Sequence, residues 1–198
     1  MKQQLNELLL QSLETELGGV QIYQTALGCV VNKDLQKEWE KYLDQTTRHV
    51  EIMRELFDKL GLDPKQETSG RKVVRHIGES LVKAMQMAQK AGDPKAAELV
   101  ACECVSLAET KDHANWELLA KCAEKFNGKE ADALKEACEE GEDQEDEHLY
   151  HSKGWCRELW IASLGMPAVL PPPEEKKDVK TAIGAARAQQ SRKEMLKK

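Results

Sequence analysis

The stretch DQTTRH at residues 44–49 returns as DQEDEH at residues 143–148, and this repeat is the most informative feature of the sequence for predicting its fold. Each copy ends in a histidine and follows a long segment of helix-forming residues that contains a glutamate, Glu16 in the first half and Glu109 in the second. A pattern that occurs twice predicts two similar helical hairpins. The copies differ at one position, because the first copy has a threonine where the second has Glu145.

The glutamates and histidines lie at matched distances from the two predicted turns. Each residue of an α-helix advances by about 1.5 Å, so residues equidistant from the turn of a hairpin lie at the same height. Glu16 and His49 are equidistant from the first predicted turn, and Glu109 and His148 are equidistant from the second. The spacing therefore predicts that each hairpin places a glutamate opposite a histidine.

The second copy also has the spacing of a metal-binding motif. Glu145 and His148 are three residues apart, so they share a helix face and can bind one metal ion or two adjacent ions. In the first copy Thr46 stands at the position of that glutamate, while Asp44 and Glu51 are predicted to point away from the histidine. The candidate metal ligands are Glu16, His49, Glu109, Glu145 and His148.

Other residues repeat with the motif or lie near it. Tyr23 and Trp116 each follow a candidate glutamate by seven residues, which predicts a matched aromatic below each one. His113 and His151 could supply a ligand in place of the one missing at position 46, and the alternative interpretation places them on the surface or outside the ligand group. His76 is predicted to be exposed.

Apolar periodicity and helix caps predict long helices throughout. Only six prolines and twelve glycines occur among 198 residues, and good helix formers dominate. The predicted helices span residues 3–31, 33–60, 73–91, 94–126 and 129–164, the third being a crossover helix. We expect one helical domain at residues 1–166, followed by a Pro-rich spacer and polar C-terminal tail at residues 167–198. A disordered or loosely attached tail is favoured over a helix that docks on a partner.

Charge and composition exclude several functions. A net charge of -6 argues against binding to nucleic acid or to an anionic membrane surface. The polar N-terminus and the lack of a long apolar run predict a cytoplasmic protein. Six cysteines occur without a Cys-x-x-Cys pair, which predicts reduced thiols and no rubredoxin-type or zinc-ribbon module.

This pattern resembles the ferritin-like superfamily, in particular its rubrerythrin-like di-iron carboxylate proteins, in which two helices each supply a Glu and two others each supply Glu-x-x-His. The resemblance implies an all-α, ferritin-like antiparallel four-helix bundle with a crossover helix and a C-terminal tail. It also implies that the Glu of the Glu-x-x-His motif bridges two irons. Because Thr46 replaces one such residue, Glu145 is the only bridging candidate, and the site holds two ions, a single ion or none.

The resemblance further implies an iron-binding oxidoreductase that reacts with dioxygen or peroxide and takes electrons from an external donor. The iron centre would contain two iron ions or one, and manganese or zinc also suits carboxylate and imidazole ligands. The alternative is a non-enzymatic ferritin-like bundle that stores or buffers metal, or a metal-free interaction protein. We expect metal ions as partners, a homodimer, and no binding to nucleic acid or membrane.

Overall fold

A computed structural model describes residues 2–176 and 182–197, with the backbone alone for residues 2, 142, 143, 182, 183 and 185. Six helices account for most of these residues, and no strand occurs among them. The helices are α1 (Lys2–Leu27), α2 (Lys33–Leu60), α3 (Ser69–Ala91), α4 (Pro94–Lys125), α5 (Lys129–Ser163) and α6 (Ala182–Met195). The predicted all-α class is confirmed.

Four long helices surround a common interior. α1 contacts α2 and α4, α5 contacts the same two helices, and α3 packs against α1 and α4. Two apolar clusters fill the interior at different heights. Cluster I includes Leu9, Leu13, Met53, Leu56, Leu119 and Leu134, and cluster II includes Tyr23, Trp39, Tyr42, Val105 and Trp155. α1 and α5 run from cluster I to cluster II, whereas α2 and α4 run in the opposite direction.

Several predicted helix ends are confirmed by their caps. The Asn32 side chain accepts hydrogen bonds from the first backbone amides of α2, and Gly61 ends that helix with a φ of 65°. Asp93 caps α4 in the same way, with Pro94 in its first turn. Glycine has no Cβ and therefore adopts the left-handed backbone conformation without strain, so Gly61 can end the helix there.

Two helix ends differ from the predicted ones. α1 ends at Leu27 rather than near residue 31, because the Glu98 carboxylate accepts hydrogen bonds from the backbone N–H groups of Val31 (2.7 Å) and Asn32 (2.6 Å). These bonds hold the connection in a non-helical path. α3 begins four residues before its predicted start, because the Thr68 hydroxyl accepts the Arg71 N–H and caps the helix. Both differences arise from polar contacts that apolar periodicity does not report.

The chain beyond α5 packs back on that helix. Arg157 donates two hydrogen bonds to the Glu174 carboxylate, at 2.7 and 2.9 Å, and Pro172 and Pro173 are buried. Glu158 pairs with Arg192 of α6. The predicted Pro-rich spacer therefore lies against the protein. Val179, an apolar residue of the predicted tail, lies outside the described residues. No helix in the described ranges has both the length and the apolar character needed to cross a membrane.

Candidate metal centre

A polar layer separates the two apolar clusters, and all five predicted ligands lie in it. Their exposed fractions range from 0% to 3%. His49 Nδ1 lies 3.6 Å from Glu16 Oε1 and 3.0 Å from Glu145 Oε1. His148 Nδ1 lies 3.6 Å from Glu109 Oε2 and 3.2 Å from Glu145 Oε1. The glutamate predicted opposite each histidine is therefore found there.

These distances match the separation of ligand atoms around one metal ion. Carboxylate oxygens and imidazole nitrogens bind zinc at about 2.0–2.2 Å, so two ligands at right or tetrahedral angles lie about 2.8–3.6 Å apart. Two triads meet the geometric requirement, one of Glu16, His49 and Glu145 and the other of Glu109, His148 and Glu145. Glu145 belongs to both triads, so it lies where a shared ligand of two ions would lie.

Many polar atoms of this layer are buried without a hydrogen-bond partner of normal geometry. They are Glu16 Oε2, His49 Nδ1, Glu109 Oε2, Asp112 Oδ1, both carboxylate oxygens of Glu145, and His148 Nδ1. Buried polar atoms are nearly always satisfied in native proteins, and leaving one unsatisfied costs about 1–3 kcal/mol. Except for Asp112, these atoms belong to residues of the two triads, where a cation would give them a partner, so the residues present fit a bound metal.

Two glutamines orient the histidine rings. His49 Nε2 donates to Gln144 Oε1 at 2.9 Å, and His148 Nε2 donates to Gln45 Oε1 at 3.0 Å. A proton on Nε2 leaves the Nδ1 lone pair of a neutral imidazole free to bind metal. Each glutamine orients the histidine of the other sequence copy. The repeated Asp-Gln pair was visible in the sequence, but this exchange between copies was not.

Gln144→Leu should weaken metal binding by about 10- to 100-fold, the usual loss when the partner of a metal-binding histidine is removed. Leucine has a similar size but cannot accept the Nε2 proton, so the His49 ring loses its preferred tautomer. A competition titration with a metal chelator measures this change. Gln24→Leu, at an exposed position of α1, is the control and should bind as the wild type does. Equal affinity in Gln144→Leu and wild type would show that the contact does not orient a ligand.

The two matched aromatics also contact the opposite half of the layer. Trp116 Nε1 donates to Glu16 Oε1 at 2.7 Å. Gly141 permits this position, because a Cβ atom there would lie 2.7 Å from the Trp116 ring. Burial and the nearby Glu109 carboxylate raise the pKa of Tyr23 well above 10.0, which keeps its hydroxyl protonated. The sequence spacing predicts an aromatic below each glutamate. In the structure Trp116 binds Glu16 of the other half, and Tyr23 lies near enough to Glu109 of the other half for that charge to raise its pKa.

Charge pairing sets the protonation of the ligands. Burial lowers the pKa of His49, but the Glu16 and Glu145 carboxylates outweigh it and raise that pKa to about 11. Glu145 and Glu109 likewise raise the pKa of His148 to about 9 against the effect of burial. Burial raises the pKa of Glu145, yet the two facing imidazoles lower it to about 2. In the protein without metal, the protonated imidazoles of His49 and His148 therefore balance the negative charge of the carboxylates. A bound metal ion would take over this role.

Asp112 is a fourth buried carboxylate that sequence reasoning missed. Burial, followed by the charges of Glu16, Glu145 and Glu109, raises its pKa well above 3.8. It follows Glu109 by three residues, a spacing on one helix face that could have identified it. The corresponding position of α1 is Gly19, where a Cβ atom would lie 3.0 Å from the Thr46 side chain. The first half of the layer thus has the small residues Gly19 and Thr46 at the positions where the second half has the carboxylates of Asp112 and Glu145.

The two histidines considered as replacement ligands lie elsewhere. His113 Nε2 pairs with Asp146 Oδ1 at 2.5 Å, outside both triads. His151 is also outside them, and it is buried rather than on the surface, because it packs in a separate group with Glu38 and Glu175. Three other residues predicted to lie away from the site are exposed: Asp44, Glu51 and His76.

The ligand set limits which metals fit. Carboxylates together with imidazoles suit iron, manganese and zinc, whereas calcium and magnesium prefer oxygen ligands alone. Among the described residues no cysteine belongs to either triad, so the two triads contain no thiolate ligand. Comparisons with protein-family models, with curated proteins and with solved structures give no match to this chain.

Proposed function

We propose that this chain is a ferritin-like, rubrerythrin-like metalloprotein with two metal positions in the polar layer. The observation that supports this most strongly is the pair of buried triads that share Glu145. The order of contacts among the four long helices and the extra helix α3 between the two hairpins is also what a ferritin-like bundle with a crossover helix requires.

Each residue of the layer has a distinct role in the proposed site. Glu16 and His49 would bind one ion, Glu109 and His148 the other, and Glu145 both. The second ion would bind more weakly than the first, because the two cations repel each other and share a single bridging carboxylate. A nearby cation would lower the raised pKa of Asp112, and this carboxylate would then supply further negative charge to the layer.

We propose that the activity is an oxidoreductase reaction with dioxygen or hydrogen peroxide. Bound iron would supply the redox chemistry. The ligands are at most 3% exposed, so only a small reactant suits the site, and the apolar clusters above and below exclude bulk water. Gln45 and Gln144 hold the imidazole tautomers, and Trp116 holds Glu16 in place.

The partners that this function needs remain predictions. The chain contains no Cys-x-x-Cys pair, so reducing equivalents would come from an external donor. The homodimer also stays a prediction. Val73, Ile77 and Leu107 are more than half exposed, and such apolar residues favour association with a second chain.

An anaerobic titration with ferrous iron, followed by exposure to air or peroxide, tests the proposed function. We expect two iron ions that depend on Glu145, a new near-ultraviolet absorption after oxidation, and repeated turnover when a chemical reductant is added. Binding with one round of oxidation but no turnover would favour the storage alternative. Failure to bind iron, manganese or zinc in the polar layer would overturn the metal assignment and leave the metal-free interaction protein.

A further inference from the structure

A second group of ligand atoms lies outside the polar layer, between α2, α5 and the segment after α5. His151 Nδ1 lies 3.4 Å from Glu38 Oε1 and 3.0 Å from Glu175 Oε2. We propose that these three residues form an outer metal site that takes one divalent transition-metal ion, independent of the two positions in the polar layer. The outer site does not rest on the proposed function, because it shares no residue with the two triads.

Glu38 is held in position for this role. Its Oε2 accepts a hydrogen bond from Trp155 Nε1 at 2.5 Å, which directs Oε1 towards His151. Glu38 is only 6% exposed, and its Oε1 has no hydrogen-bond partner. A buried carboxylate oxygen that faces an imidazole and lacks a partner is a donor atom available to a cation.

Glu175 is brought to the group by the residue before it. Glu174 is fixed by two hydrogen bonds from Arg157, and Glu175 follows directly in the chain. Gly154 of α5 makes room for this segment, because a Cβ atom there would lie 2.8 Å from the Glu174 carboxylate and 3.2 Å from Pro172. The position of Glu175 beside His151 is therefore set by several anchored contacts.

The outer site opens to solvent through a cavity of about 510 Å³. Glu38, Tyr42, His151 and Glu175 are among the residues that line this cavity. Lys41 also lines it but pairs with Glu147 at 3.2 Å, so its charge is partly compensated. An ion can therefore reach these ligands from solvent, in contrast to the closed polar layer.

The donor atoms define the class of metal. One imidazole nitrogen and two carboxylate oxygens suit zinc, cobalt, manganese or ferrous iron rather than calcium or magnesium. Separations of 3.0 and 3.4 Å match ligands that each lie about 2.0–2.2 Å from one ion. The Tyr42 hydroxyl lies 2.7 Å from His151 Nδ1, and the Tyr42 ring lies against the His148 ring with centroids 4.1 Å apart. One aromatic side chain thus separates the outer site from the polar layer.

Cobalt binding by the full-length protein tests this inference. Equilibrium dialysis against cobalt chloride, with metal analysis and visible absorption spectra, compares the wild type with Glu175→Gln. We expect Glu175→Gln to bind one ion per chain at least tenfold more weakly and to lose part of the visible absorption. Asp34→Asn, at an exposed position in the same cavity but outside the ligand group, should match the wild type. Equal binding by Glu175→Gln and the wild type would overturn the outer site.

Two further variants and a melting temperature distinguish loss of the outer ion from loss of folding and from loss of ions in the polar layer. The Glu175 side chain is 32% exposed, so Glu175→Gln should still fold, and its melting temperature without metal shows how much stability the contact with His151 supplies. Glu38→Gln should reproduce the loss of the same ion, and retention of that ion would contradict the assignment. Glu145→Gln should keep the outer ion. If Glu145→Gln loses no ion while Glu175→Gln loses one, the outer site stands and the proposed function fails.

Discussion

Glu145→Gln should remove both metal positions of the polar layer at once, because this carboxylate belongs to both triads. We expect affinity to fall by more than about 100-fold, a larger loss than the removal of a residue that only orients a ligand. Glutamine keeps the size and one oxygen of the side chain but lacks the charge that offsets two cations. Metal analysis after dialysis, together with an iron titration, measures the effect.

Glu147→Gln is the matched control, since Glu147 lies two residues further along α5 and outside both triads. The sequence predicts that Glu145→Ala lowers bound iron more than Glu142→Ala, because Glu145 shares a helix face with His148 and Glu142 lies about one turn further away. The Glu142 side chain lies outside the described residues, so Glu147 is the better choice. Equal metal content in Glu145→Gln and Glu147→Gln would exclude Glu145 as a shared ligand.

Thr46→Glu should strengthen the binding of the second iron in the polar layer. Position 46 is three residues before His49 on α2, so a glutamate there would share its face and complete a second Glu-x-x-His motif. The added negative charge would reduce the repulsion between two cations. The measurement uses the Glu175→Gln background, which removes the outer ion. Iron retained after dialysis should rise from about one ion towards two per chain. Near-ultraviolet absorption after exposure to air should also increase.

The same variant has an opposite effect on the protein without metal. Thr46 is 2% exposed and faces Gly19, so a glutamate at this position would be buried beside existing carboxylates. Burial without a partner should lower stability by about 2 kcal/mol or more, tempered by protonation. Iron should restore the melting temperature if the carboxylate binds it. A loss of stability that added iron does not reverse would count against metal binding in this layer.

Features within one helix or one short hairpin were predictable from the sequence. The caps at Asn32, Gly61 and Asp93 and the i,i+3 pair of Glu145 and His148 depend on residues a few positions apart. The heights of the glutamates and histidines depend only on the constant rise of a helix and on the position of the turn. These local rules are sufficient to place all five candidate ligands in one layer.

Contacts between distant helices were decided only by the tertiary structure. Gln144 orients His49, Trp116 binds Glu16, and Glu38 meets His151, across separations of 95, 100 and 113 residues, respectively. Such pairings depend on how each helix is rotated about its axis and on which helices become neighbours, and packing of the apolar clusters sets both. Local patterns therefore predict the existence of α1–α5 and the height of the ligand layer, whereas the packing of four helices sets which side chains complete each site.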